Sequence, residues 1–318
     1  MSLISMFPSN GGETYPNGTE WSLLPINKNE QYRPQLHGVA YGNGLFVGRG
    51  SRRIYTSTNG INWTTVYTTP SYTTHIYYAD GRWMVCTESN GIFYSTNGSS
   101  WTQGNMTETG AKACVKFQNK WIAVTKKGIF YSTDASSWIQ TSITDSGMMD
   151  VAAGNDCCVA TANNGIYFST NGTSWTKKSV GSYYVGKVYY SDGVWIVCVG
   201  DEGVYKSTNG SSWTLVNITN NIVNAHKCKD KWFVAAGSNG IYYSTNGSSW
   251  TQATGIDSAW GVYYANGIYI IRNSDGVAYS TDGVQWTPTG FTDTNGQDPI
   301  FFDGIWLCNT YYSLARKV

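Results

Sequence analysis

Charge is scarce in this chain. Lysine, arginine, aspartate and glutamate make up 13% of its 318 residues, against roughly 25% in an average globular domain. The 21 basic and 20 acidic side chains leave a net charge of +1, which provides no field to draw in nucleic acid or an acidic membrane surface. No apolar run approaches the roughly 20 residues that span a bilayer. The opening MSLISMFPSNGGE lacks the basic region and apolar core of a secretory signal. The expectation is a chain folded in the cytoplasm, with no nucleic-acid partner and no membrane insertion. Histidine is rarer still, at three residues. There is no His-Glu-x-x-His, no glycine-rich phosphate loop and no nucleophile elbow, which removes the enzyme classes built on those motifs.

Seven cysteines is an odd number, and their placement argues against pairing. Cys86 in RWMVC and Cys198 in VWIVC occupy the same place in two similar stretches, with Cys308 in IWLC close to it. Residues filling equivalent positions of separate units act as small buried hydrophobes rather than bonded partners. A reducing compartment follows. Asn97 and Asn246 head glycosylation sequons, yet both belong to recurring turns, so modification is not expected.

Aromatic residues and glycine are abundant, and their arrangement is periodic. GIFYSTNGSSWTQ (91–103) and GIYYSTNGSSWTQ (240–252) differ at one position. The tryptophan of this motif recurs at Trp63, Trp101, Trp138, Trp175, Trp213, Trp250 and Trp286, at intervals of 36–38 residues. An earlier landmark, a tight turn followed by an aromatic-rich strand, occurs eight times, from YGNGLFV to FDGIWLC near Gly304. The eighth copy has no tryptophan after it, but NGTEWS near the start places Trp21 at the right spacing. Each unit reads as four short strands, a to d, with Asn-Gly and Asp-Gly turns that tolerate positive φ. Such units cannot bury both faces alone and must stack. A period near 40 with four strands predicts a β-propeller. The expectation is an all-β propeller of eight four-stranded blades, with seven as the alternative, closed by the N-terminal strand. Residues 1–14 form a tail and 15–318 one domain, with the last blade split between 15–25 and 298–318.

The repeat Ser-Thr-Asn-Gly-x-x-Trp, with Asp134 and Asp282 replacing Asn, resembles the Asp-box (BNR-like) motif of sialidases, some glycosidases and several lectins. It is one residue shorter between the acid position and tryptophan. The combination YGNGLFV…YSTNGxxW is similar to propeller modules of bacterial and tailed-phage tail and receptor-binding proteins. That resemblance implies a carbohydrate or cell-surface receptor as ligand, with other virion or tail subunits as partners. It assigns no activity, because the motif is structural.

Candidate contacts come from residues the repeat does not require. Of 14 tryptophans, eight are motif positions and five belong to strand b (Trp83, Trp121, Trp195, Trp232, Trp306). Trp260 is left over, at the start of a strand a. In a propeller strand a lines the channel, and the d–a and b–c connections share one mouth. Alignment at that place adds His37, His75, Asp150, Lys187 and Asp298, a mixed lining suited to stacking and hydroxyl hydrogen bonds with a sugar. His226 falls slightly deeper. A metal site at His37 and His75 would need a third and fourth ligand, and no cysteine or acid pattern announces them, so no metal or cofactor is expected. The variable d–a loops offer Tyr67, Tyr72, Tyr183 and Tyr184 as flat contacts, and one b–c loop clusters Arg49, Arg52 and Arg53.

The sialidase pattern needs three arginines from different blades and a tyrosine nucleophile. The chain has only seven arginines, three of them in one loop. Two opposed carboxylates are equally hard to find, since Asp80, Asp192, Asp230 and Asp303 fall in a–b turns at the opposite end. The residues favour a non-enzymatic propeller that binds carbohydrate or a cell-surface receptor, and the resemblance implies a phage tail fibre or receptor-binding component. A glycoside hydrolase using rim carboxylates and a protein-interaction scaffold within a larger assembly are the alternatives.

Overall fold

The computed structural model describes residues 21–23, 36–60, 62–106, 109–181, 184–216, 218, 221–289, 300–302, 305–309 and 314–317. Strands account for all its regular structure, and no helix forms among these residues. Seven four-stranded antiparallel sheets follow one another in the chain, at 38–68, 73–103, 111–140, 148–178, 185–216, 224–252 and 261–288. Sheet 2 is representative: strand a is Thr73–Ala79, b Arg82–Thr87, c Ile92–Ser95 and d Thr102–Gln103. Strand a of each sheet packs against strand a of the next. The innermost strands thus form a continuous inner wall.

The a–b turns are tight because they carry left-handed residues in pairs. Asn43 and Gly44 have φ of 49° and 75°, Asp80 and Gly81 48° and 72°, and Asp192 and Gly193 50° and 76°. That geometry matches the twist of an antiparallel hairpin. Strand b is sandwiched between strands a and c and covered by both neighbouring sheets. Its residues are accordingly buried on both faces, as in Trp83 to Thr87. Trp83, Trp121, Trp195 and Trp232, the first aromatic of strand b in four sheets, are each 1% exposed. Strand d is short and outermost, and is exposed at Ile139–Gln140 and Thr251–Gln252.

The recurring c–d motif is the joint between sheets. In sheet 2 the Ser95 hydroxyl donates to Asn97 Oδ1 at 3.1 Å and accepts the Gly98 amide at 2.8 Å. Asn97 Oδ1 also accepts the amides of Ser99 and Ser100, and Trp101 Nε1 donates to the Gly98 carbonyl at 3.0 Å. The same serine–acid and serine–amide bonds recur with Asp134 and Asp282. The serine hydroxyl, the asparagine oxygen and the tryptophan Nε1 thus all bond within the turn itself. Gly98 takes φ of 75° and faces Leu45 and Val47 of sheet 1. Gly172, Gly210 and Gly283 abut the preceding sheet in the same way.

A further set of four strands joins the ends of the chain, in the order Trp21–Leu23, Leu314–Lys317, Ile305–Asn309, Ile300–Phe302. Trp21 pairs with Lys317 and Leu23 with Ala315. The stack defined by the described residues has seven sheets, the alternative count, rather than the eight the repeat favoured. What makes four strands a blade is packing against both neighbours, and the side chains that would show it for the terminal set lie outside the described residues. Six cysteines, Cys86, Cys114, Cys157, Cys158, Cys198 and Cys228, are buried free thiols.

Candidate functional site at the channel mouth

The d–a and b–c connections meet at one end of the stack through backbone hydrogen bonds. Thr73 N donates to Ser51 O, Glu88 N to Tyr72 O and Lys126 N to Gly110 O. Strand a begins at this mouth, and its register decides what lines it. His75 lies opposite Cys86, Asp150 opposite Thr161, Asn224 opposite Ala235, and Gly261 opposite Arg272, while Gly38 faces Arg49. His75, Asp150 and Asn224 therefore share one level with Gly38 and Gly261. His37 and Trp260 stand one residue earlier, where each amide donates to the carbonyl of the opposing arginine, His37 to Arg49 at 2.7 Å and Trp260 to Arg272 at 3.1 Å. The offset arises because sheets 2 to 5 carry a β-bulge at the start of strand a and sheets 1, 6 and 7 do not. A bulge inserts one residue without a partner, which counting along the sequence alone does not reveal.

On the lower level His75 and Asp150 are turned toward the next sheet, while Asn224 accepts the Tyr189 hydroxyl of the preceding one. Asp150, 9% exposed, accepts the Val188 amide at Oδ2 (3.4 Å) and pairs with Lys187 Nζ at 3.6 Å. Lys187 itself is exposed. His75 is half-buried, stacks along Tyr77, and accepts the Cys114 amide at Nδ1 at 3.4 Å. The proton of the neutral imidazole then sits on Nε2. Burial first, then Lys187 and Arg49, lower its pKa to about 3, so it is neutral near pH 7. His226 is two residues further along its strand than Asn224, between the rings of Tyr189 and Tyr263.

The upper level holds two similar pairs. Burial and the Arg49 guanidinium lower the His37 pKa, keeping the imidazole neutral. Arg49 also donates to Thr73 O at 3.1 Å. On sheet 7 the Arg272 guanidinium lies 5.1 Å from the Trp260 ring centroid, within the range of a cation–π contact. Arg272 Nε is buried and has no hydrogen-bond partner among the described residues. Composition gave no hint of Arg272, since its strand b reads YIIRN where others read WMVCT or WIVCV; alignment of strand b ends would have found it at the place Arg49 fills in sheet 1.

The loop residues divide. Tyr72 and Tyr184 are 57% and 49% exposed, whereas Tyr67 packs its ring on Phe93 at 5.6 Å. Arg52 and Arg53 are exposed, and Arg52 donates to Pro70 O at 2.5 Å. Asp298 and Tyr183 lie outside the described residues. Asp80 and Asp192 occupy the a–b turns at the far end, paired with Lys116 at 3.0 Å and Lys227 at 3.7 Å. Sequence reasoning missed one cluster: a ring nitrogen of His75, Cys86 Sγ and Cys114 Sγ all lie within 4.8 Å of one another. The hairpin register puts Cys86 across from His75, and Cys114 lies 39 residues after His75, near one repeat length.

No protein-family model and no curated protein sequence matches the chain. Solved structures do, at low identity. The computationally designed Ika8 protein aligns with a TM-score of 0.72 at 11% identity, covering 90% of this chain and 96% of that one. Sqt1 of Saccharomyces cerevisiae aligns at 0.66 and 10% identity, over 95% and 99%. The GH74 enzyme of Niastella koreensis aligns at 0.54 and 18% identity, over 86% of this chain, which spans 48% of that one. The stacked sheets and these neighbours define the chain as an all-β protein of the β-propeller fold.

Proposed function

We propose that this chain is a non-catalytic recognition propeller whose mouth binds an acidic saccharide of a cell-surface glycan. The carrying observation is Arg272 against Trp260, with a buried Nε that has no partner among the described residues. A buried guanidinium nitrogen is costly to leave unpaired, and a carboxylate is its natural partner. Arg49 beside His37 repeats the arrangement on sheet 1. Exposed Tyr72 and Tyr184 add flat contact area on the surrounding loops. Asp150 speaks against hydrolysis, because its carboxylate is already held by an amide and a lysine. A general acid needs a carboxyl free to reach its substrate.

The similarity of the repeat to propellers of tailed-phage receptor-binding proteins supports a recognition role. Displayed in many copies on a phage-like particle, weakly binding mouths would gain by avidity. We also infer that the terminal strands complete an eighth blade, a reading supported by the Trp21–Lys317 pairing and the four-strand order. The test is a glycan array of neutral and uronic- or sialic-acid glycans, probed at high protein density. Binding confined to acidic glycans and lost in Arg272→Met or Trp260→Ala is expected. Absence of binding to any glycan, with stable capture of one virion subunit, would replace this reading by a docking scaffold.

A further inference from the structure

The cluster at His75, Cys86 and Cys114 belongs to no part of the proposed mouth contacts. His75 and Cys86 face each other across strands a and b of sheet 2, and Cys114 comes from strand a (Ala111–Phe117) of sheet 3. Cys114 Sγ is 4.0 Å from His75 Nδ1, and all three donor atoms fall within 4.8 Å. A cation bonded at about 2.3 Å to sulfur and about 2.0 Å to nitrogen would hold its ligand atoms about 3.5–4 Å apart. The side chains need close by less than about 1 Å to reach that spacing.

We propose that these three residues form a trigonal site for a monovalent thiophilic cation, Cu(I). Two sulfurs and one imidazole are soft to borderline donors, which select Cu(I) or zinc over harder ions. The donor count separates the two. Structural zinc takes four ligands, and among the described residues no fourth histidine, cysteine, aspartate or glutamate joins the cluster. Two thiolates around a monovalent cation leave one net negative charge, and the Arg49 guanidinium lies close by, donating to the Thr73 carbonyl two residues before His75 at 3.1 Å. That cation balances a singly negative complex. Cys86 and Cys114 are 0% and 1% exposed, so the sulfurs are shielded from solvent, while half-buried His75 leaves an approach.

Ordinary core packing does not account for the combination. Cys198 fills the place of Cys86 in sheet 5 and is also buried, yet among the described residues it belongs to no such group of three donors. The corresponding places in sheets 1, 3, 4, 6 and 7 are Arg49, Val124, Thr161, Ala235 and Arg272. On binding, the two thiols release their protons to solvent as two sulfur–copper bonds form, and the Cys114 amide gives up its long bond to Nδ1.

The experiment titrates the reduced full chain with Cu(I) anaerobically, in competition with bicinchoninate. One equivalent withdrawn from the chelator is expected, with a thiolate-to-copper charge-transfer band. Cys86→Ala, Cys114→Ala and His75→Gln should each lose the equivalent, and Cys198→Ala should keep it. Copper K-edge absorption of the unmodified chain should show two sulfurs and one nitrogen, which needs no variant to fold. The proposal is overturned by no stoichiometric uptake, by retention of the equivalent in the Cys86→Ala/Cys114→Ala double variant, by a copper shell without sulfur, or by tight zinc binding without Cu(I) binding.

Discussion

Gly98→Ala tests whether the repeated turn joins one sheet to the next. Gly98 and Gly81 both belong to sheet 2, and their φ values of 75° and 72° are nearly equal. A methyl at either pays the left-handed penalty of about 1–2 kcal/mol, offset by about 0.4–1 kcal/mol from a stiffer unfolded chain. The two sites differ in surroundings. A Cβ at Gly81 meets nothing within 4 Å, whereas one at Gly98 meets Leu45 Cδ2 at 2.6 Å and Val47 Cγ2 at 3.1 Å, both on sheet 1. Overpacking of that kind costs about 1–3 kcal/mol. Gly98→Ala should therefore destabilise by about 2–4 kcal/mol and Gly81→Ala by about 1. Urea unfolding of both variants, followed by tryptophan fluorescence, measures the difference directly. Equal losses would refute the turn as an inter-sheet joint. Sheet 3 sharpens the point, because Ala135 stands natively at the motif glycine with φ of 66° and is fully buried among Met84 and Ala123. Where sheet 1 presents Leu45, sheet 2 presents Arg82, whose guanidinium reaches past to the Asp134 carbonyl.

Asp150→Ala leaves the buried Val188 amide without its acceptor and should cost about 1–2 kcal/mol by chemical denaturation, while Asp150→Asn, which keeps an oxygen in place, should cost less. Hydrogen bonds from the Ser137, Ser136 and Ser132 groups hold the Asp134 pKa at about 2, and those in the Asp282 turn lower that carboxyl as well. A depressed folded-state pKa contributes stability above the unfolded value and loses it as pH falls toward the folded one. Acid unfolding of Asp134→Asn/Asp282→Asn should therefore be less steep between about pH 4 and pH 2, and an unchanged profile would remove these carboxylates from the account. Deleting residues through Leu23 removes the partner strand of Leu314–Lys317, and should lower the thermal midpoint and speed proteolysis of the C-terminal segment. An unaltered melting curve would count against ring closure.

Much of this architecture was legible in the chain. A tryptophan every 36–38 residues, an Asn-Gly turn before it and an aromatic strand between turns are local signals, because β-hairpins are set by turn chemistry and alternation. The motif itself follows the same logic: its serine and its asparagine or aspartate bond amides two and three residues away. Trp260 stood out by accounting alone. What the sequence did not determine was how strand a registers against strand b. One bulge residue in sheets 2 to 5 displaced His75 and Asp150 from the level of His37 and Trp260, and turned them from the mouth toward the neighbouring sheet. The Trp260–Arg272 contact and the His75–Cys86–Cys114 cluster were likewise decided by tertiary structure. Each joins side chains that are far apart in the chain, and only strand pairing and the stacking of one sheet on the next bring them within reach.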